Sequence, residues 1–341
     1  MADRLDLSII IPSFNSAVWL PGTIRALDES AEKSPLRVEI IVVNDGSTDD
    51  TLAVIDEVSS ELTTPLRVVS TANQGVFAAR LAGAAVARSE TLLFVDARVT
   101  CAPDALAVFA ALPDRPPVAA VVGHVGTATD VPLVGRFWEV PTHVFWGSYL
   151  RQPTRTVVTL ENFDRVPKGT GFLAIDSSAF REASERIASP GDRFVSDDTK
   201  LLRDIAARSP IVLEPAFRAE YRPRTNLRKF LSHGYLRGTL FVDSYFGTSF
   251  LRSLVLVALA ASVPVALVLV GTAWVLHAMP LVGAVVGGAI TMGLALLAVA
   301  AVNRAPARAL ASFASYVVPF ATVFWAGIVR GFVVRAKRST R

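Results

Sequence analysis

Two short polar stretches near the start of the chain have the residue types needed to hold a nucleotide. Pro12-Ser13-Phe14-Asn15 and Asn44-Asp45-Gly46-Ser47 each close a short apolar run. Glycine and small polar residues let the backbone approach a planar base or a phosphate closely, and the Asp45 carboxylate could accept hydrogen bonds from a uracil-type N–H or from ribose hydroxyls. Its loss is then expected to weaken nucleotide binding without unfolding the domain. Asp45-Gly46 also reads as an ordinary turn, and Asn15 as an Asx-turn residue. Two such pairs at the ends of neighbouring strands favour the ligand. Asp96 closes the run Leu92-Leu93-Phe94-Val95. A carboxylate there suits a hard divalent cation, Mg2+ or Mn2+, that neutralises a leaving diphosphate; a helix cap or an ion pair with Arg98 suits it equally. Gly169-Thr170-Gly171 is either a plain loop or the lining of a sugar pocket. Ser196-Asp197-Asp198 by itself reads as a helix N-cap with acids in the first turn. The chain offers no Ser/His/Asp or Cys/His series for nucleophilic catalysis. His124, His143 and His277 stand apart and make no zinc site, and Cys101, the one cysteine, reads as a small buried residue.

The elements that must carry these residues alternate. Strands are expected over residues 7–12, 38–43, 66–70 and 91–95, each a short apolar run rich in β-branched residues. Helices are expected over 18–31, from a cap at Ser47, Thr48 or Asp49 through 62, and over 75–87. Such alternation predicts a doubly wound, mostly parallel α/β sheet, in which ligands bind beyond the carboxyl ends of the strands. Residues 113–167, with their prolines and aromatics, are expected to form antiparallel strands and surface helices shaping an acceptor face.

Charge is partitioned sharply. The net charge is −8 over residues 1–217, +5 over 218–252 and +7 over 253–341. An acidic head with a basic, apolar tail excludes a nucleic-acid partner, which would put the positive charge on a folded binding face, and fits a domain resting on an anionic membrane. Residues 253–303 hold no Asp, Glu, Lys or Arg, enough for two spans of about 20 residues, over 253–276 and 281–302. A third uncharged stretch starts at Ala309, is interrupted by Pro319 and leads to a basic tail over 336–341. The N-terminus carries no evident signal peptide, so the head is expected in the cytoplasm and the protein in the inner (plasma) membrane. Two crossings then return the chain to Arg304 and Arg308 on the inner side. The third helix, over 309–334, is expected to be interfacial or re-entrant, with a cytoplasmic C-terminus.

The series IIIPSFN, VVNDGSTDDT, NQGVFAAR, LLFVDAR, GTGFLAID and SDD resembles family 2 glycosyltransferases of the GT-A fold, over residues 5–240. The stretch from Tyr221 through Arg224, Asn226 and Arg228 to Gly238 is similar to the succinoglycan-type exopolysaccharide glucosyltransferases, which carry a C-terminal membrane region. The resemblance implies that Pro12, Phe14 and Asp45 contact the nucleotide, with Ser13, Asn15 and Gly46 in the same donor site. It implies that Asn73 and Arg80 approach the ribose and phosphate, and that Gly169, Thr170 and Gly171 line the sugar pocket. Asp96 matches the first acid of the metal-binding D-x-D motif; Arg98 stands where its second acid would be. Asp198 would be the general base of an inverting displacement, with Asp197 contacting the acceptor or positioning that base. Where processive relatives carry a Q-x-x-R-W motif, this chain has His233 and Arg237 instead. Arg224, Arg228, His233 and Arg237 could bind a diphosphate or lipid head group, or form a basic stripe beside a membrane. The organisation expected is a catalytic domain over 1–220, a basic amphipathic segment over 221–252 and a membrane region over 253–335. The expected function is transfer of a sugar from a nucleotide-diphosphosugar to a lipid-linked or polysaccharide acceptor. A polyprenyl-phosphate sugar synthase and a non-catalytic nucleotide-sugar-binding partner are the alternatives.

Overall fold

The computed structural model describes residues 5–113, 119–187 and 197–339. The chain divides into two compact units, Met1–Thr129 with Gln152–Pro223, and Asp130–Arg151 with Arg224–Arg341.

The first unit is built on one mixed sheet. Its strands are β1 (Leu7–Ser13), β2 (Val38–Asp45), β3 (Leu66–Thr71), β4 (Thr91–Val95), β5 (Val99–Cys101), β6 (Ala120–Thr127), β7 (Thr156–Val158), β8 (Phe172–Asp176) and β9 (Ile211–Tyr221). The order is β3-β2-β1-β4-β8-β6-β9-β5, with β7 also on β9. The block β3-β2-β1-β4 is parallel throughout, as the strand–helix alternation requires, and β8 then joins β4 antiparallel. Helices α1 (Leu20–Glu32), α2 (Thr51–Ser59) and α3 (Val76–Val86) make the crossovers, and α4 (Ala105–Ala110) follows β5. After β8 come α6 (Ser177–Ile187) and α7 (Asp197–Ala206). Every residue of β1 and β2 is buried, which is why both read as continuous apolar runs rather than alternating ones. At the amino end of the sheet the buried Glu39 accepts hydrogen bonds from Ser8 Oγ and from the Arg88 amide and side chain, and Arg67 adds an ion pair. Burial opposes ionisation of Glu39, but these donors hold its carboxyl below the ordinary value. β1, β2, β3 and the end of α3 are thereby locked at the end remote from the ligand-facing loops.

The second unit is helical. It holds α5 (Glu139–Leu150), α8 (Leu227–Tyr245), α9 (Phe250–Val275), α10 (Met279–Val302) and α11 (Ala307–Ser339). The last three are long and apolar enough to cross a membrane by length and composition. The break expected at Pro319 does not occur: α11 is one helix of 33 residues with Pro319 inside it. Its packing explains this. A Cβ on Gly238 would lie 2.3 Å from the Phe324 carbonyl, and one on Gly327 would lie 2.1 Å from the Tyr235 carbonyl, so α8 and α11 meet backbone to backbone. Phe137, just before α5, lies between Phe313 at 5.1 Å, Phe320 at 4.5 Å and Phe230 at 5.1 Å. Asn303 Nδ2, at the end of α10, donates to the His143 carbonyl on α5 at 2.8 Å. Residues 130–151 therefore pack with the C-terminal helices, although they interrupt the sheet unit in sequence.

Candidate functional site

The carboxyl ends of β1, β2 and β3 form a laced set of turns. Asn15, Gly46 and Asn73 all adopt left-handed backbone, with φ of 49°, 71° and 50°. Gly46 needs to be glycine, because a Cβ there would also lie 3.0 Å from the Asn73 amide. Left-handed non-glycine residues cost energy and persist where their surroundings enforce them. The enforcing bonds are visible. Asn15 Oδ1 accepts from the Thr48 amide at 2.8 Å, and the Asn15 amide donates to Ser47 Oγ at 3.0 Å. Asn44 Oδ1 accepts from the Ser47 amide. Asp49 accepts from the amides of Ala17 and Thr51 and from the Thr51 hydroxyl. Burial alone would raise the Asp49 carboxyl, but these donors bring it below its ordinary value. Of the three residues expected to cap α2, Asp49 is the one bound to its first amide.

Asp45 is deeply buried, and its carboxylate faces inward. Oδ1 accepts from Thr71 Oγ1 at 2.7 Å and the Gln74 amide at 2.8 Å; Oδ2 accepts from the Gly75 amide at 2.7 Å. The acid expected to meet the nucleotide thus holds the loop after β3, which includes Asn73. Phe14 is exposed, whereas Ser13 is buried and its hydroxyl has no hydrogen-bond partner among the described residues, an orphaned polar atom at the mouth of β1. Pro12, one residue earlier, is buried within the strand, level with Val43.

Asp96 follows β4, and 40% of its side chain is exposed. Arg80, buried on α3, donates to its Oδ1 at 2.8 Å, and the Asp96 amide donates to the Gly171 carbonyl at 3.0 Å. A Cβ on Gly171 would come within 2.9 Å of Asp96 Oδ2. Glycine at 171 therefore keeps the second carboxylate oxygen clear. Gly169 has open space about its Cβ position, and Thr170 is fully buried. The preceding Lys168 donates to the Phe163 and Val166 carbonyls and sits 3.9 Å over the Phe163 ring; burial pushes its ammonium down to about 8, against the pull of Asp164.

Among the described residues no group of three or more His, Cys, Asp or Glu is gathered for a metal. One partly exposed carboxylate with a cleared oxygen nevertheless fits Mg2+ or Mn2+ when a diphosphate and water supply the other ligands. Arg98 turns elsewhere: its guanidinium stacks 4.5 Å over Trp19 and donates to the Pro223 carbonyl. Cys101 is buried, and desolvation raises its thiol to about 12. Asp197 and Asp198 begin α7; their side chains, and Ser196, lie outside the described residues. Arg224, Arg228, His233 and Arg237 belong to the second unit, where Arg237 Nε donates to His233 Nε2 at 3.0 Å and lies over Trp138.

The parallel block, its antiparallel partner β8 and the acid closing β4 define an α/β domain of the GT-A type, followed by apolar helices. Residues 8–173 match the family described as Glycosyl transferase family 2, and this part of the chain is a domain of that family. The fold is shared with a mannosyltransferase from Pyrobaculum calidifontis in complex with GDP-Man and Mn2+, at a TM-score of 0.58 and 17% identity, over 97% of this chain and 88% of that one. An undecaprenyl-phosphate 4-deoxy-4-formamido-L-arabinose transferase of Pseudomonas savastanoi is 27% identical over 110 residues, 32% of this chain and 33% of that protein. A bactoprenol glucosyl transferase of Shigella phage SfV is 33% identical over 94 residues, 27% of this chain and 30% of that protein. The matches span a third or less of the length of these curated relatives.

Asp45→Ala is expected to destabilise the protein as well as weaken UDP binding, a stronger effect than the sequence alone implies. Hydrogen bonds to a charged group are worth about 1.5–3 kcal/mol each, and three are lost. Thermal melting and UDP titration of the full chain in detergent check this; an unchanged melting temperature would contradict the anchoring role.

Proposed function

We propose that the protein is an inverting glycosyltransferase that moves a sugar from a nucleotide-diphosphosugar, UDP-linked by preference, to a membrane-held, polyprenyl-linked acceptor. The observation that carries this is Asp96, a half-exposed carboxylate beside the strained turns of β1–β3, oriented by Arg80 and kept clear by Gly171. The turns would receive the base and ribose, with Phe14 exposed for stacking. Asp96, with the donor's diphosphate, would hold Mg2+ or Mn2+, which supplies charge neutralisation at the leaving group when bound. Arg80 keeps Asp96 pointed. The acceptor hydroxyl attacks the anomeric carbon as its bond to the diphosphate oxygen breaks, and Asp198 takes the hydroxyl proton. Attack opposite the leaving group inverts the anomeric carbon. The names of the relatives favour a second acceptor, the polyprenyl phosphate itself. A phosphate monoester is largely ionised at neutral pH, so its oxygen attacks without surrendering a proton and needs no base.

α9 and α10 are proposed to cross as a hairpin, bringing Val302 back to the side where Phe250 starts. α11 begins a few residues after α10, and Arg308 donates to the Val131 carbonyl. At its other end, Phe332 lies 5.2 Å and Arg335 5.0 Å from Phe246, just before α9. A crossing helix would carry these ends about 30 Å apart through the hydrocarbon. α11 is therefore an interfacial helix packed on α8, with both ends on the side that carries Arg304 and Arg308, the cytoplasmic side by the positive-inside tendency.

Two outcomes are expected. Asp198→Asn keeps donor affinity and lowers transfer to a hydroxyl acceptor by about 10²–10⁴-fold, while transfer to polyprenyl phosphate falls far less; equal, near-normal turnover on both would remove Asp198 as the base. A reporter fused to the C-terminus is active when it is of the kind that works only in the cytoplasm. Activity of a periplasm-specific reporter instead would mean that α11 crosses.

A further inference from the structure

The segment that brings Gly171 to Asp96 is held by residues the proposed donor site does not use. Lys168 Nζ donates to the carbonyls of Phe163 and Val166, the latter at 3.2 Å, and lies 3.9 Å over the Phe163 ring. Its side chain thus closes residues 163–168 into a compact loop. Val166 precedes Pro167 and is extended, with φ of −129° and ψ of 146°, as a following proline favours. The Phe163 ring is buried and takes a second cation from a different element. Arg203, on α7, lies 4.5 Å over the ring and pairs with Asp164 at 3.0 Å. An ammonium at position 168 is costly, because burial opposes its charge; the two carbonyls and the ring face offset that cost in part.

Only Gly169 and Thr170 separate this loop from Gly171, and Gly169 contributes no side-chain packing. Gly171 sets two features of Asp96. Its carbonyl accepts the Asp96 amide at 3.0 Å, and its bare Cα leaves Oδ2 clear, where a Cβ would come within 2.9 Å. A displacement of the loop is therefore passed on to the carboxylate. We propose that Lys168, Phe163 and Arg203 are positioning residues for Asp96, a brace that fixes Gly171 beside its carboxylate. Resting on the metal role proposed for Asp96, this brace sets the affinity for the divalent cation with the diphosphate, rather than for the nucleotide alone.

In the test, UDP is titrated calorimetrically into the full chain in detergent, with and without saturating Mn2+; the ratio of the two affinities is the gain from metal. Lys168→Met, which fills a similar volume without the charge, and Arg203→Gln are each expected to lower that gain. The expected fall is about tenfold, the lower end for groups that orient a metal ligand, with metal-free affinity for UDP unchanged. Arg203→Lys, which keeps a cation for the ring and for Asp164, should retain part of the gain. Arg186→Gln is the control: it cuts the other tie to α7, from Arg186 on α6 to Asp204 at 2.9 Å, and should leave the gain intact. Amide hydrogen exchange of the ligand-free chain reads the same link without metal. The Asp96 amide should exchange faster in Lys168→Met and in Arg203→Gln, but not in Arg186→Gln; Arg203→Gln serves alone if Lys168→Met fails to fold. If Mn2+ adds nothing in the unaltered chain, the metal role of Asp96 fails, and exchange of its amide decides the brace. Where the unaltered chain shows a gain, a gain or an Asp96 exchange rate that neither variant changes overturns the positioning role. Equal effects of Arg186→Gln would mark a general loosening of α7 and overturn it too.

Discussion

The ligand end of the sheet depends on one buried carboxylate. Asp45 closes β2 and gathers Thr71, the last residue of β3, with Gln74 and Gly75 from the loop that follows. Removing a charge from water is costly unless hydrogen bonds replace the hydration, so the carboxylate stays buried only while that loop stays folded around it. Asn73 is held left-handed inside the same loop, against Gly46. The turns after β1 and β2 are in turn tied together through Asn15, Ser47, Thr48 and Asp49. The left-handed turns of the cradle are therefore held by hydrogen bonds within the chain. Preorganisation of this kind lowers the entropy lost on binding.

A comparable economy governs the helical unit. α8 carries Arg228, Lys229, His233 and Arg237 and is too polar to enter a bilayer, yet it meets α11 through Gly238 and Gly327 with no side chain between them. Small residues at a helix contact let backbones approach and dispersion forces accumulate. The aromatic cluster around Phe137 then fastens residues 130–151 to the same pair. The continuity of α11 past Pro319 follows: a helix fixed by packing along its length tolerates one missing amide donor.

Much of the sheet was legible because buried parallel strands are continuous apolar runs, and β1 to β4 lie within two residues of the ranges read from them. The polar ends of those strands were legible for the same reason, as was the acid at 96. The inward turn of Asp45 was not, since nothing in Asn44-Asp45-Gly46 reveals partners at the end of β3 and in the loop after it, 26 to 30 residues later. Arg80 was legible as part of a motif, but its burial and its pairing with Asp96 depend on α3 lying over the sheet. Lys168, Asp49 and Trp19 escaped notice as site residues; only Asp49 left a signal, in the run of short polar residues after Gly46. The membership of residues 130–151 in the helical unit was invisible, because their contacts lie 90 to 180 residues away. Arg98 was legible as a departure from the motif, but its stacking on Trp19 was not.

The central claim is that the cradle and Asp96 together transfer a sugar to a membrane-held acceptor. The most direct measurement supplies membranes containing the full chain with individual nucleotide-diphosphosugars, follows release of nucleoside diphosphate and weighs the extracted lipids. The account predicts that one donor gives acceptor-dependent release together with a lipid heavier by one sugar residue, both lost in Asp96→Ala. Release without any lipid or glycan product, or a product undiminished by Asp96→Ala, would contradict it.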